Sequence, residues 1–308
     1  MRKPLSFLRS PVDRRAALRW LGIGLGAAPV AKVLAACSDD AKPATGTDSD
    51  VASGDTDITT SAETDAATGD VAIPTGWATG GTAAMTAKAG YPDPFAALGS
   101  ACTLYCSATL GPCHTSSPER EDVSDGWDGL PLRLALRVVD ESCNPIEGAI
   151  VEIWHTNNTG TYSGNINAIC NETAAERAAR FFRGYQTTDA DGRVAFDSCF
   201  PGWYSGRAIH IHFRVMTGAY DGSDSAKASL VSQLFFSDAL VESLFAEAAL
   251  YKDYGTPDTL LGDDSIIGGE SDPSAYVCDV RKTSDGAMLA SKTLILRSTS
   301  AASCSIGA

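Results

Sequence analysis

Histidine is scarce in this chain: 308 residues contain four, His114, His155, His210 and His212. A metal site built from imidazole alone would need most of that pool, so other donors have to be considered. Basic residues are also in short supply, with 24 Lys and Arg against 38 Asp and Glu, a net charge of −14. Such a chain repels nucleic acid and anionic membrane surfaces, and no basic and aromatic cluster argues otherwise. The longest apolar run near the amino terminus falls short of the ~20 residues that span a bilayer. There is no internal repeat. Cys102-x3-Cys106 has no second pair of Cys or His at close spacing, which argues against a zinc site.

The amino terminus has the pattern of an export signal. Arg14-Arg15 precede the small, apolar stretch Trp20–Val30, and Leu34-Ala35-Ala36-Cys37 follows. Residues 1–36 are therefore expected to form a twin-arginine-type lipoprotein signal, with Cys37 as the acylated residue. The protein would then be a periplasmic or cell-surface lipoprotein, touching the membrane only through that lipid. An ordinary signal would leave it secreted. Residues 1–36 hold seven Lys and Arg and one acid, so their removal leaves 17 basic and 37 acidic residues, a net −20. The chain has nine cysteines, and eight remain if Cys37 carries lipid. In an oxidising compartment all eight can pair, in any of about 105 connectivities that the sequence does not distinguish.

Residues 37–95 are rich in Ala, Thr, Ser, Gly and Asp, and are expected to form a flexible acidic tether. Residues 96–308 hold the folded domain. Leu132, Leu134, Leu136 and Val138 alternate with Arg133, Ala135 and Arg137, a strand with one buried face. Further strands are expected at Ala149 to His155, Arg193 to Phe196, Ala208 to Val215 and Leu230 to Phe236. Two late ones are expected near Tyr276 to Arg281 and Thr293 to Arg297. Val241, Leu244, Phe245 and Ala248 keep helical spacing after a cap at Ser237. The fold class is mainly β: a β-sandwich core with loop excursions and one or two short helices.

The most informative stretch is Pro201-Gly202-Trp203-Tyr204-Ser205-Gly206-Arg207-Ala208-Ile209-His210-Ile211-His212-Phe213. Strand side chains alternate, so His210 and His212 share one face while Ile209, Ile211 and Phe213 share the other and can join a core. Two imidazoles with a phenol nearby are half of a metal site. Phenolate is a hard donor that suits a trivalent ion, and a phenol ionises near neutral pH only beside a strong cation. Tyr204 lies on the turn before the histidine strand. Tyr162 ends the Asn157-Asn158-Thr159-Gly160-Thr161 loop.

Several segments together resemble the intradiol ring-cleavage dioxygenases, the family of protocatechuate 3,4-dioxygenase and catechol 1,2-dioxygenase, and most of all its exported single-domain members. They are Gly148–His155 with Gly160–Gly164, Arg183–Gly192, the stretch through Phe213, and Ser232–Phe236. Together they cover about residues 100–298. The resemblance implies one Fe(III) per chain, with Tyr162, Tyr204, His210 and His212 as its ligands. It makes Tyr204 and His212 the axial pair and Tyr162 and His210 equatorial. It implies a catechol-type aromatic and O2 as substrates, and cleavage of the ring to a muconate-type diacid. Tyr204 would leave the metal during turnover, Arg207 would stabilise developing negative charge, and Gln233 would lie near the substrate ring. Arg207 could equally be a salt-bridge partner and Gln233 a core polar group. Arg207 is out of phase with His210, so it must precede the regular strand or sit at a bulge. His155 is expected to support the site without binding metal, and His114 to lie in a loop.

Two features depart from the family pattern. The link from Tyr204 to Arg207 is only Ser205-Gly206, which should open the site. Leu110 and Cys113, in Leu110-Gly111-Pro112-Cys113, replace an acid and an aromatic at the presumed pocket rim. Two other functions were weighed: a non-catalytic transthyretin-like sandwich that binds aromatics or iron, and a copper or zinc sandwich using His-x-His. The intact set of four donors counts against the first, and the shortage of histidine against the second. The sequence leaves the particular catechol and the oligomeric state open.

Overall fold

Alternating apolar side chains build two four-stranded sheets whose inner faces meet in one core. The computed structural model of the protein describes residues 76–96, 106–222 and 228–297. The twin-arginine segment, Cys37, Cys102, Cys304 and the tether through residue 75 lie outside the described residues. The strands are β1 (Pro131–Val139), β2 (Ala149–Trp154), β3 (Arg183–Thr187), β4 (Arg193–Cys199), β5 (His210–Thr217), β6 (Ala228–Phe235), β7 (Asp279–Lys282) and β8 (Met288–Ile295). One sheet has the order β4-β1-β8-β7 and the other β3-β2-β5-β6. Only β1 and β8 pair in parallel; every other ladder is antiparallel.

Leu132, Leu134, Leu136 and Val138 of the first sheet pack with Val151, Ile153, Ile211, Phe213 and Val215 of the second. The expected alternation of β5 is thus realised: Ile211 and Phe213 are fully buried in the core, while His210 and His212 occupy the opposite face. The expected helix is present at Asp238–Glu247, and the Ser237 hydroxyl caps it by accepting from Leu240 N at 3.4 Å. The β1, β2, β4, β5 and β6 expectations hold to within a few residues. The last strand starts earlier than expected, at Met288, because its pairing with β1 begins at Leu132. The Arg183–Thr187 strand was not expected. Its polar residues and Gly184 carry no alternation, and it is a strand because it pairs with β2 along the sheet edge.

Two further expectations need correction. The tether does not extend to residue 95, because Gly76–Ala96 packs on the folded unit. Met85 and Phe95 are buried, and Phe95 covers Ala135 and Leu289 on the outer face of the first sheet. Ala78 N donates to Gly286 O at 2.9 Å, and Lys88 Nζ meets the buried carboxylate of Asp197 at 2.5 Å. A few apolar side chains and the ion pairs of Lys88 with Asp197 and Asp93 with Arg193 suffice to dock a segment whose composition is otherwise that of a linker. The eight cysteines also do not all pair. Cys113 and Cys170 form a disulfide, and Cys106 and Cys143 are disulfide-bonded as well, but Cys199 and Cys278 are free. Both free thiols are enclosed by the main core, and burial pushes each up to about 12, so they stay protonated and inert. Among the described residues no helix is long and apolar enough to cross a membrane.

Phe213 lies at the centre of this core, directly behind His212. Phe213→Ala should cost about 3–5 kcal/mol of stability. Urea unfolding would measure it, and a loss below ~1 kcal/mol would mean that the core does not hold the histidine strand as described.

Candidate metal centre

β5 is flanked on both sides by hydrogen-bonded neighbours, so its outward face is rigid. In register, His212 stands between Trp154 of β2 and Gln233 of β6, and His210 stands beside Phe235. The Trp154 ring stacks on His212 with centroids 4.9 Å apart and planes 5° from parallel. His210 Nδ1 lies 2.7 Å from Ala208 O, so it carries the proton and donates it there. That fixes the tautomer and turns the lone pair of Nε2 toward the centre.

The two phenols come from loops, and Asn157 ties those loops together. Its side-chain oxygen accepts from Thr159 N and Thr161 N, both at 3.0 Å, and shapes the turn before Tyr162. Its main-chain oxygen accepts from Gly202 N at 2.9 Å, just before Tyr204. Gly160 has φ +73°, and a Cβ there would lie 2.1 Å from Trp203 O, so the two loops touch only because this residue is glycine. Tyr162 N donates to Cys170 O at 3.0 Å, and the disulfide then links this loop to Cys113.

All four expected donors meet. Tyr162 Oη is 3.5 Å from Tyr204 Oη and 3.4 Å from His210 Nε2. Tyr204 Oη is 3.2 Å from His210 Nε2, which is 3.1 Å from His212 Nε2. Ligands held at ~2.0–2.2 Å from one ion are spaced at about these distances. Among the described residues no three of His, Cys, Asp and Glu could hold a metal together, so an ion bound here takes phenol oxygen. His212 Nδ1 is buried without a hydrogen-bond partner, and Gly111 lies against the same ring. The residues present therefore fit a hard, highly charged cation.

Electrostatics agree with that fit. Burial pushes Tyr162 well above its ordinary value; burial also raises Tyr204, against the opposing pull of Arg207. Burial holds His210 down to about 3 and His212 well below its ordinary value. Left to itself the cluster is two phenols and two neutral imidazoles. A cation reverses the phenol shifts, because it favours the charged form.

Arg207 precedes the regular start of β5, which resolves its phase. It is a salt-bridge partner, one of its two expected readings. Nε donates to Asp264 Oδ2 at 2.9 Å, and Nη2 donates to Gln233 Oε1. Gln233 is fully buried and supports Arg207. Asp264 was missed by sequence reasoning. It also accepts from Ala208 N at 2.7 Å and Ile266 N at 2.8 Å, and although burial pushes its carboxyl up, Arg207 and these donors hold it low. No periodic signal marks it, because it lies in an irregular loop.

The remaining histidines support the centre from outside. His114 is in a loop, as expected, but its ring meets the edge of Trp154 at 4.8 Å and its Nε2 is 3.2 Å from Glu152 Oε2. Glu152 is fully buried and paired with Arg214. His155 is bound by Thr156 O at 2.8 Å and Ser198 Oγ at 2.7 Å, away from the four donors.

Tyr162, Tyr204 and His212 line a 580 Å³ cavity, walled by Pro112, Cys113, Ile169, Cys170, Arg207 and Ile266 among others, with His210 behind them. Cys113 is therefore at the rim, as expected, while Leu110 packs in the small cluster around Trp154 and Tyr162.

The family model described as Dioxygenase matches residues 108–265, half of the chain. The protein belongs to the intradiol ring-cleavage dioxygenase family. It is 33% identical over 107 residues to the protocatechuate 3,4-dioxygenase beta chain of Burkholderia cepacia, covering 32% of this chain and 42% of that one. It is 26% identical over 144 residues to chlorocatechol 1,2-dioxygenase of Rhodococcus opacus, covering 41% and 51%. The match thus spans about half or less of each of these relatives. The fold is shared with an intradiol ring-cleavage dioxygenase from Tetranychus urticae, with a TM-score of 0.54 at 23% identity, covering 64% of this chain and 95% of that one.

Burial holds His155 down to about 4, against about 6.5 in the unfolded chain. The unfolded state therefore takes up a proton first as pH falls. The associated stability is complete above pH ~6.5 and is lost as pH falls toward ~4, by about 3 kcal/mol for this one group. Denaturation midpoints of the metal-free protein at pH 7, 5.5 and 4.5 should fall in that order, and the fall should shrink in His155→Gln.

Proposed function

We propose that the protein is an Fe(III)-dependent intradiol dioxygenase. It would insert both atoms of O2 into a catechol-type aromatic and open the ring between the two hydroxylated carbons, giving a muconate-type diacid. The observation that carries this reading is the convergence of Tyr162, Tyr204, His210 and His212, with donor atoms 3.1–3.5 Å apart, beside a cavity that three of them line. These four residues would hold one ferric ion per chain. When bound, that ion supplies Lewis acidity: it draws electron density from the catecholate and makes a ring carbon reactive toward O2. The reaction balances without a reductant, since one carbon–carbon bond breaks and each of its carbons gains one oxygen.

The chain's own residues divide the remaining work. Tyr162 is 3% exposed and enclosed, whereas Tyr204 is only partly buried. Tyr204 Oη is thus the donor placed to accept a proton from an incoming catechol hydroxyl. His210 and His212 stay neutral and fixed, one by its bond to Ala208 O and the other by its stack on Trp154. Arg207 lines the cavity, and although Asp264 balances its net charge, its fixed guanidinium N–H groups would donate to an oxygen on which negative charge develops. Asp264 and Gln233 hold that guanidinium in place before substrate arrives. We also propose that the enzyme works outside the cytoplasm. The Arg14-Arg15 signal pattern supports this, as do the disulfide-bonded cysteines.

Purified with iron, the full chain should be wine-red from tyrosinate-to-iron charge transfer, and it should consume O2 with catechol. Tyr162→Phe should lose both colour and turnover. A folded protein that takes up no iron and stays colourless would overturn the reading. Colour without O2 uptake across a panel of catechols would favour a transthyretin-like binding protein. Asp264→Asn should keep iron and colour but lower kcat by about 10–100-fold, because the guanidinium loses its anchor. Unchanged kcat would remove Arg207 from the mechanism as drawn.

A further inference from the structure

The cavity wall carries information about what may be attached to the ring. Among the described lining residues the cation is Arg207, and its charge is already matched. Asp264, fully buried beneath it, takes its Nε, and Gln233 takes Nη2. Beyond Arg207 the described wall holds apolar side chains, the hydroxyls of Thr109, Ser205 and Ser265, and one acid, with no second cation. Pro112, Ile169, Ile266 and the Cys113–Cys170 disulfide form its dry side. Asp263, exposed on the rim, adds a negative charge to it. Ser205 and Gly206, also in the wall, are held by the carboxylate of Asp258, with Ser205 Oγ 2.7 Å from Oδ2.

A ring that is gripped through its two hydroxyls at the four donors must direct its other substituents at this wall. An apolar substituent there gains contact with Ile169, Ile266 and the disulfide. A carboxylate there leaves water, finds no unmatched cation, and faces Asp263. Burying an unpaired charge is costly, and a like charge nearby adds to the cost. We propose that this wall is a charge filter: the site takes catechols with uncharged, apolar substituents and rejects those with a carboxylate on the ring. The inference rests on the proposed catechol reaction and goes beyond it, since the metal centre itself would serve either class.

The test compares 3,4-dihydroxybenzoate with its methyl ester at pH 7, using the iron-loaded full chain. The two differ in charge at similar size, and because the ester withdraws electrons more strongly than the carboxylate, their anaerobic affinities are measured beside kcat/KM to separate charge from ring reactivity. The ester should have a kcat/KM at least about 30-fold higher, corresponding to about 2 kcal/mol. 4-Methylcatechol should be turned over at least as well as catechol. In Asp263→Lys the ratio of kcat/KM for the acid to that for 4-methylcatechol should rise about tenfold or more. Equal kcat/KM for acid and ester, or an acid that is preferred, would overturn the filter. Failure to turn over catechol itself would count instead against the dioxygenase reading. In that case anaerobic calorimetry with acid and ester still decides the filter, and equal affinities would overturn it.

Discussion

The structure depends on one strand having two buried faces with different tasks. β5 sends Ile211, Phe213 and Val215 into the main core and His210, His212 and Arg214 to the other side. A one-residue slip would exchange the two sets, placing imidazoles in the core and isoleucine at the centre. The core therefore fixes not only the strand but also the phase of its two donors. Because β2 and β6 flank β5, neither histidine sits on a sheet edge. The polar face is closed by aromatic stacking and by paired charges, His212 under Trp154 and Arg214 against Glu152.

The phenols have no such strand to hold them, and the fold compensates by joining their loops. Asn157 follows β2 and binds both the turn before Tyr162 and the backbone before Tyr204. The disulfide adds a third tie, from the Tyr162 loop to the segment that carries Gly111 against His212. Two donors stand on a strand and two on tethered loops, and of the two phenols Tyr162 is buried while Tyr204 is partly exposed. The four donors are neutral without a cation, and the formal charges nearby are paired with one another behind them. A cation bound there would thus be the dominant unbalanced charge at the centre and would favour the ionised form of both phenols.

Local periodicity made the parts built from it legible: the alternation of β1 and β5, the shared face of His210 and His212, and the helix that starts at Ser237. The joint pattern of Tyr162, Tyr204, His210 and His212 also stood out in the sequence, and the structure brings all four together. What local pattern does not carry was missed. Asp264 is 57 residues from Arg207 and lies in a loop, so nothing local marks it as the partner of that arginine. β3 is a strand only because β2 offers it an edge. An even number of cysteines suggested complete pairing, but Cys199 and Cys278 serve as small apolar residues in the core. Gly76–Ala96 has the composition of a linker, and a few of its side chains show why composition misleads: Phe95 covers Ala135 and Leu289, and Lys88 pairs with buried Asp197.

The chemistry and the choice of substrate are held by different parts of the molecule. The donors rest on the sheet and on the Asn157 hub. The wall that meets a ring substituent is made from the Pro112–Cys113 segment, the Ile169–Cys170 loop and the Asp263–Ile266 loop. These segments can change side chains without moving β5, so specificity can vary while the centre stays intact. Asp264 is the exception. It belongs to the same loop as Asp263 and Ile266, yet it anchors Arg207 through a buried ion pair. A substitution at Asp263 or Ile266 alters only the wall. A change in the length of that loop would shift Asp264 as well, and with it the guanidinium proposed to serve the reaction. That loop and the Cys113–Cys170 disulfide, which walls the cavity and also ties the Tyr162 loop, are places where the wall and the centre cannot be altered independently.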